Sequence, residues 1–330
     1  MMVKKQSFRG ASIGLASGFF WALDTILIGL VLASTTFMSF GEIALAAPLL
    51  ATFLHDLMSS FWMILLMAFR GQLMDTIKKI KTRSGLFVVL AATLGGPLGM
   101  TFYVLAVQNI GASFTAVISS AYPAVGALFA FILLKDKLSG RNWIGLLISM
   151  GFITMLSYSG NLFSGVTISI GLIFVLLCVF GWGMESVICA YGMKDDQVNP
   201  EQALLIRQLT SSAIFGFIII PVFVGHSYTM QVVSTSAFLF IILIALAGTL
   251  SYVFYYQAIK LVGPVRAMGM NISYAAWAII LEVVLLGADF SLKYFAIALM
   301  IILGSVLTVM QNKNTDALPD PTTPLTPKYR

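Results

Sequence analysis

The chain has 330 residues, of which 59% are hydrophobic and only 10% charged, and its mean hydropathy is +0.97. A soluble domain carries about 25% charged residues, and one water-facing core has no room for this much apolar surface, so the composition excludes a soluble protein and reads as a polytopic membrane protein. The two cysteines, Cys178 and Cys189, share one hydrophobic segment and suggest neither a disulfide framework nor a metal cluster; no cofactor is expected either.

Polar and Gly/Pro-rich breaks divide the chain into ten predicted spans, at about 11–33, 42–69, 85–108, 111–134, 142–159, 167–193, 201–224, 236–260, 264–286 and 292–310. The first, from Ala11, is long enough to cross a bilayer and is followed by more of the same, so it reads as a transmembrane helix and not as a cleaved signal peptide. Ten spans put both termini on one side. With that side cytoplasmic, 17 of the 19 basic residues fall inside, Lys293 falls outside and Arg207 lies within a span. Loops such as QNIGAS and SGNLFSGV carry no basic residue. This asymmetry follows the positive-inside rule, so the net charge of +6 is a topology signal and not a nucleic-acid footprint. The tail DALPDPTTPLTPKYR is proline-rich and poor in apolar residues, and is expected to be disordered.

The spans repeat. Trp21-Ala-Leu-Asp24 in span 1 answers Trp182-Gly-Met-Glu185 in span 6. AVQNIGASFTAVISSAY (106–122) parallels AIKLVGPVRAMGMNISY (258–274), which sets Tyr122 opposite Tyr274, and LSGRNW then parallels FSLKYF. Five spans per half is an odd number, so the second half inserts upside down. The expected fold is therefore an all-α polytopic membrane protein of ten transmembrane helices in two inverted five-helix repeats, 11–160 and 161–311, between a cytoplasmic N-terminus (1–10) and a cytoplasmic tail (312–330). Secondary transporters are built this way, with the substrate site near the midplane between the halves.

Ionisable residues at membrane depth are functional candidates because each costs roughly 2.5–3.5 kcal/mol at a helix centre on insertion scales. Six stand out: Asp24, His55, Asp56, Glu185, Arg207 and Glu282. Glu185 leads. It is mid-span, one turn from Trp182 on a face shared with Cys178 and Cys189, as a cavity wall would be; the bland alternative is a structural hydrogen bond. Asp24 is equally central, with a paired helix contact as its alternative. His55 and Asp56 point about 100° apart on a helix, so at most one is expected to face a cavity directly; a histidine at that depth can equally be a packing residue. Arg207 is expected to snorkel to its nearer interface, and Glu282 to reach the interface at the outer end of span 9.

Trp21, Trp182, Tyr122, Tyr274 and Trp277 lie at mid-depth, whereas belt aromatics belong at span ends, as Trp143 does. Mid-depth rings usually pack. Here two pairs are repeat mates, which an inverted symmetry brings to one axis. Several rings with one acid suit an organic cation, above all a quaternary ammonium, which has no N–H to donate and is selected by ring quadrupoles worth on the order of 2 kcal/mol each when desolvated.

GGPLGM (95–100), IGASFTAVISSAYPA (110–124), GWGMES (181–186), EQALLIRQLTS (201–211) and MGMNISYAAW (268–277), together with His55-Asp56, carry a resemblance over roughly residues 10–310. The chain resembles the ten-helix, EamA-type branch of the drug/metabolite transporter superfamily, and within it the bacterial choline transporters that serve phosphorylcholine decoration of cell-surface polymers. That resemblance implies choline import across the bacterial cytoplasmic membrane, coupled to protons, and no enzymatic activity. It places Trp21, Trp182 and Tyr274, with Trp277 and Tyr122, in an aromatic cage around Glu185. Asp24 departs from the pattern and puts the identity of the cation in doubt; Asp24, His55 and Asp56 join Glu185 as candidates for proton coupling or cavity wall. The partners implied are a quaternary ammonium, protons and the lipid bilayer, with a homodimer left open and no nucleic acid. An exporter of drugs, amino acids or organic cations on the same fold is the alternative.

The topology is testable in a cysteine-free background. A single cysteine at Lys137 is expected to react with a membrane-impermeant maleimide only after permeabilisation, and one at Lys293 in intact cells; the reverse pattern would invert the orientation.

Overall fold

The computed structural model describes residues 2–38, 46–110, 112–157, 170–194, 197–289 and 291–308. The 312–330 tail and the boundary between the repeats at 160–161 lie outside these residues. Every regular element among the described residues is helical, as lipid requires of a chain that must satisfy its own backbone hydrogen bonds. Seven helices are long and apolar enough to cross a bilayer: Phe8–Leu32 (span 1), Ala46–Phe69 (span 2), Arg83–Ile110 (span 3), Ile170–Gly192 (span 6), Pro200–Phe223 (span 7), Ser236–Val262 (span 8) and Pro264–Leu286 (span 9). Span 4 is made of two pieces, Ala112–Ser119 and Tyr122–Leu134; Gly140–Ser157 (span 5) and Leu292–Leu307 (span 10) complete the ten. Short helices at Thr35–Met38, Leu73–Lys79 and His226–Val233 sit in connections.

Local sequence explains the starts. Span 7 opens on a capping box: Gln202 N–H donates to Asn199 Oδ1 at 2.8 Å, Asn199 N–H donates to Gln202 Oε1 at 3.1 Å, and Pro200 takes the first helical position. Span 3 begins under Thr82, whose hydroxyl accepts from Gly85 N–H at 3.1 Å.

The principal helix contacts follow one rule: what span n packs on, span n+5 packs on in mirror fashion. Span 1 packs on spans 8 and 9, and span 6 on spans 3 and 4; span 2 packs on span 8, and span 7 on span 3. Spans 2 and 7, and spans 5 and 10, pair with their own mates. The inverted repeat is thus visible in the contacts. Spans 4 and 9 also break at equivalent points, at Ser120-Ala121 and Ile272-Ser273, immediately before the repeat mates Tyr122 and Tyr274. The two breaks meet: the Tyr122 hydroxyl donates to Asn271 Oδ1 at 3.3 Å, and Asn271 Nδ2 donates to Ser17 Oγ at 2.8 Å. Spans 3 and 7 each contain one π-turn, Leu94–Leu98 and Phe215–Ile219.

At the end where span 1 begins (the proximal end), side chains tie the bundle shut. Arg70 at the end of span 2 reaches Glu201 at 3.4 Å, and Gln257 of span 8 donates to the same carboxylate at 3.0 Å. Asp75 accepts from Lys79 at 2.9 Å and from Gln202 at 2.8 Å, while Lys260 donates to the Met193 carbonyl at 2.8 Å. The hydrogen bond from Lys79, then that from Gln202, holds the Asp75 carboxyl below the ordinary carboxylate range, so this link stands at neutral pH and is lost on acidification.

Spans 5 and 10 approach through small residues, the device that replaces a hydrophobic driving force in lipid. A Cβ on Gly145 would lie 2.6 Å from the Gly304 carbonyl oxygen, and the Ser149 hydroxyl donates to the Ile301 carbonyl at 3.1 Å. Gly145→Val is therefore expected to destabilise the fold by about 1–3 kcal/mol through overpacking, read as a lower melting temperature in detergent, while Gly151→Val, which faces open space, leaves it unchanged.

Candidate functional site

A central cavity of about 330 Å³ lies among spans 1 to 9. Its walls run from mid-depth, at Trp182, Glu185, Ser186, Tyr255, Asn271 and Tyr274, towards the distal end, at Ile28, Leu32 and Pro48. A second hollow, about 460 Å³, lies at the distal ends of spans 9 and 10 against Ile279, Glu282, Asp289 and Tyr294. Its two carboxylates, Glu282 and Asp289, are exposed. The central cavity holds the chemistry.

Span 6 delivers Trp182 and Glu185, and GGPLGM of span 3 makes room for them. A Cβ on Gly95 would collide with the Glu185 carboxylate, and one on Gly99 would press on the Trp182 indole at 2.9 Å. The π-turn that contains Gly95 and Pro97 re-aims span 3 at this point. Span 1 mirrors the arrangement against span 8, where a Cβ on Gly248 would collide with the His55 imidazole and crowd Asp24 at 3.0 Å.

The rings form two clusters. Trp21 lies 5.4 Å from Tyr252 and 6.2 Å from Tyr274; Trp182 lies 5.3 Å from Tyr103 and 5.9 Å from Tyr122. The contacts Trp21–Tyr274 and Trp182–Tyr122 are repeat equivalents, and each joins one half to the other. Trp277 takes a different place. It packs edge-on against Phe19 at 5.5 Å and is not among the residues lining the cavity. One turn after Tyr274 and past the break in span 9, its ring points into the span 1 contact.

A buried chain of charges runs beneath the rings. Arg207 Nε donates to Glu185 Oε1 at 3.1 Å, Nη1 donates to Asp56 Oδ2 at 3.1 Å and to Gln208 Oε1 at 2.7 Å, and Nη2 donates to the Tyr252 hydroxyl at 3.0 Å. Its guanidinium carbon stands 4.5 Å over the Tyr252 ring. The Ser211 hydroxyl donates to the second acceptor site of Asp56 Oδ2 at 2.5 Å, and the Tyr256 hydroxyl donates to Glu185 at 3.4 Å. On the other side of Asp56, His55 Nδ1 stands 3.4 Å from Oδ1, and His55 Nε2 stands 3.0 Å from Asp24 Oδ1. Gln208 Nε2 donates to Ser59 Oγ at 2.7 Å, which pairs with Thr249 Oγ1 at 2.7 Å. Three carboxylates thus face one guanidinium and one imidazole.

Three expectations are corrected here. Arg207 does not snorkel: its side chain is 2% exposed, held at depth because two carboxylates and a ring replace its water. His55 and Asp56 both line the cavity, since the adjacent side chains lean onto a common partner shell instead of projecting radially. Glu185 is not a lone acid; Arg207 neutralises it. Asp24 is the most exposed of the three carboxylates, at 19% against 6% for Asp56 and 11% for Glu185.

Tyr103, Tyr252 and Tyr255 were not singled out from sequence, although Tyr103 and Tyr255 occupy equivalent places before AVQNIGAS and AIKLVGPV. A second signal was also present. Leu54-His-Asp-Leu-Met-Ser-Ser60 aligns with Ile206-Arg-Gln-Leu-Thr-Ser-Ser212, which makes His55 the mate of Arg207 and Ser59-Ser60 the mates of Ser211-Ser212.

Removing Arg207 takes the guanidinium away from two buried carboxylates, Glu185 and Asp56. Arg207→Met is expected to destabilise the protein by about 3–5 kcal/mol, seen as a large drop in melting temperature in detergent micelles. Adding Glu185→Gln and Asp56→Asn recovers part of the loss; if the triple variant melts no higher than the single one, the charge network is not what Arg207 supports.

Comparison with known proteins follows the same lines. The EamA-like transporter family matches the chain twice, over residues 8–158 and 169–310. Protein LicB of Haemophilus influenzae is 30% identical over 275 residues, 82% of this chain and 87% of that protein. An uncharacterized transporter of Clostridium kluyveri is 22% identical over 250 residues, 73% of this chain and 78% of the other. A solved crystal structure superposes with a TM-score of 0.67 at 17% identity, covering 91% of this chain and 95% of its own, which speaks for the fold alone. With a family match over both halves, inverted packing and a midplane cavity between them, the chain is a multi-pass membrane transporter that belongs to the EamA-like transporter family.

Proposed function

We propose that this protein imports choline or a closely related quaternary ammonium across the cytoplasmic membrane by alternating access, coupled to protons. The observation that carries the proposal is the charge and ring content of the central cavity: two tryptophans and five tyrosines around a buried cluster in which acids outnumber permanent cations by two. A cluster of that balance attracts a cation and repels an anion. Its volume stands at the low end of small-molecule sites, which span about 300–1,000 Å³, and fits a compact metabolite better than a bulky drug. The seven rings favour a methylated ammonium, whose charge is met by ring faces and which has no N–H to donate. The resemblance to bacterial choline transporters, and the 30% identity to LicB, point the same way.

Trp21 and Trp182, each backed by tyrosines from the opposite half, are the proposed walls for the trimethylammonium group, with Tyr274, Tyr122 and Tyr103 beside them. Tyr252 contributes less, because Arg207 already covers its face. Glu185 is proposed as a positioning residue that sets Arg207, and Trp277 as a packing residue. The cavity reaches towards the distal end while side-chain links close the proximal end, which in the N-in orientation is an outward-facing form. Rocking of the halves exchanges the two ends. An inward-negative potential adds about 2.3 kcal/mol per 100 mV for one positive charge. A same-fold exporter would need the opposite driving arrangement, and no feature of the cavity favours it.

The test is uptake of labelled choline into liposomes holding the purified protein, with an inside-negative potential. Saturable uptake competed by tetramethylammonium is expected. Trp182→Ala and Trp21→Ala each weaken apparent affinity about thirtyfold, as a loss of about 2 kcal/mol of ring attraction implies. Uptake that ignores both substitutions, or that prefers uncharged amino acids, would overturn the assignment.

A further inference from the structure

The two halves carry the same device with one difference. In the second half Glu185 of span 6 pairs with Arg207 of span 7; in the first half Asp24 of span 1 pairs with His55 of span 2, and the four residues are repeat mates in the same order. A guanidinium keeps its proton in any protein environment, whereas imidazole is the side chain that gains and loses one near neutral pH. If the pairs served only to clip neighbouring spans together, a second arginine would serve as well. The titratable base lies in the more exposed pair: Asp24 and His55 side chains are 19% and 11% exposed, against 11% and 2% for Glu185 and Arg207.

The surroundings of His55 are fully specified by the neighbouring elements. Span 1 presents Asp24 to Nε2 at 3.0 Å, and Asp56 of its own span faces Nδ1 at 3.4 Å. Arg207 of span 7 sits on the far oxygen of Asp56, with Glu185 of span 6 beyond it. Span 8 offers Gly248 against the ring and the Tyr252 hydroxyl near Arg207. Both ring nitrogens therefore face carboxylate oxygens. Only the imidazolium donates at both.

We propose that His55 carries the coupled proton, one per substrate cation, on the Asp24 arm of the cavity. This inference rests on the reading of the site as a cation site. The cluster lacks two positive charges to balance its three carboxylates against Arg207. A proton on His55 supplies one and the substrate the other, so the loaded site crosses the membrane midplane neutral. The proton moves from water at the cavity to the imidazole on one side and is released from it to water on the other. Each transfer exchanges one O–H bond of hydronium for one N–H bond of the imidazole, or the reverse, and no other bond changes.

The experiment compares uptake of labelled choline in proteoliposomes at fixed membrane potential, with and without an inside-alkaline gradient of one pH unit. The native protein is expected to raise its steady-state accumulation about tenfold, as one proton per cation requires. His55→Asn and Asp24→Asn lose the tenfold increment in the potential-driven uptake they retain, while Glu282→Gln, outside the central cavity, keeps both uptake and increment. A melting curve for each variant shows that it is folded. An increment that survives in folded His55→Asn, or is absent from the native protein, overturns the proposal and leaves the cation site standing. If His55→Asn does not fold, the native stoichiometry and Asp24→Asn decide alone. Uptake of tetramethylammonium or a primary amine without choline would overturn the choline assignment, and the same gradient comparison then judges His55. No uptake of any cation overturns both.

Discussion

The guanidinium of Arg207 is the constraint around which the rest of the structure is arranged. A buried charge costs several kcal/mol unless its donors are all met, and here the donors reach into spans 2, 6 and 8 from span 7. Meeting them fixes the depth of Asp56 and Glu185 and the rotation of span 8, which presents Tyr252. Close approach at Gly95 and the π-turn beside it follow from seating Glu185 against span 3. The wall of the cavity is thus set by one cation and its partners, and the rings are stacked on that frame.

The symmetry distributes contacts in a way that suits transport. At mid-depth two of the acid–base pairs, Asp24–His55 and Glu185–Arg207, stay within one half each. The rings lie on the seam, where Trp21 of one half meets Tyr252 and Tyr274 of the other, and Trp182 meets Tyr103 and Tyr122. Broken helices meet there as well, through Tyr122 and Asn271. Relative motion of the halves remodels these seam contacts and leaves the pairs within each half in place. Asp56, which joins His55 to Arg207 across the seam, is the exception and links the two charge systems.

Much of this architecture is legible in the sequence. Apolar run lengths set ten spans because lipid demands them, and the W-x-x-acid and Tyr122/Tyr274 correspondences expose the inverted repeat without any structure. Trp21, Trp182, Tyr122, Tyr274, Asp24 and Glu185 stand out because mid-depth rings and acids are costly or misplaced in an ordinary span. Tyr103, Tyr252 and Tyr255 did not, since a tyrosine in a long apolar helix has many ordinary reasons to be there. The correspondence of LHDLMSS with IRQLTSS was available and would have tied His55 to Arg207.

What the sequence by itself determined, then, is the membrane class, the ten-span division, the repeat and the depth of most candidate groups, because these depend on one-dimensional quantities: run length, periodicity and spacing. Tertiary structure alone decided which charge meets which. Depth cannot say whether Arg207 extends to an interface or turns inward, because the choice depends on whether carboxylates on other spans stand within hydrogen-bond reach. It cannot say that Trp277 packs on Phe19, because a residue three places after Tyr274 on the same helix is turned about 60° from it, and only the packed bundle shows that this turn carries the ring out of the cavity. Charge partners and ring faces are properties of neighbouring helices, and neighbours are assigned only when the bundle closes.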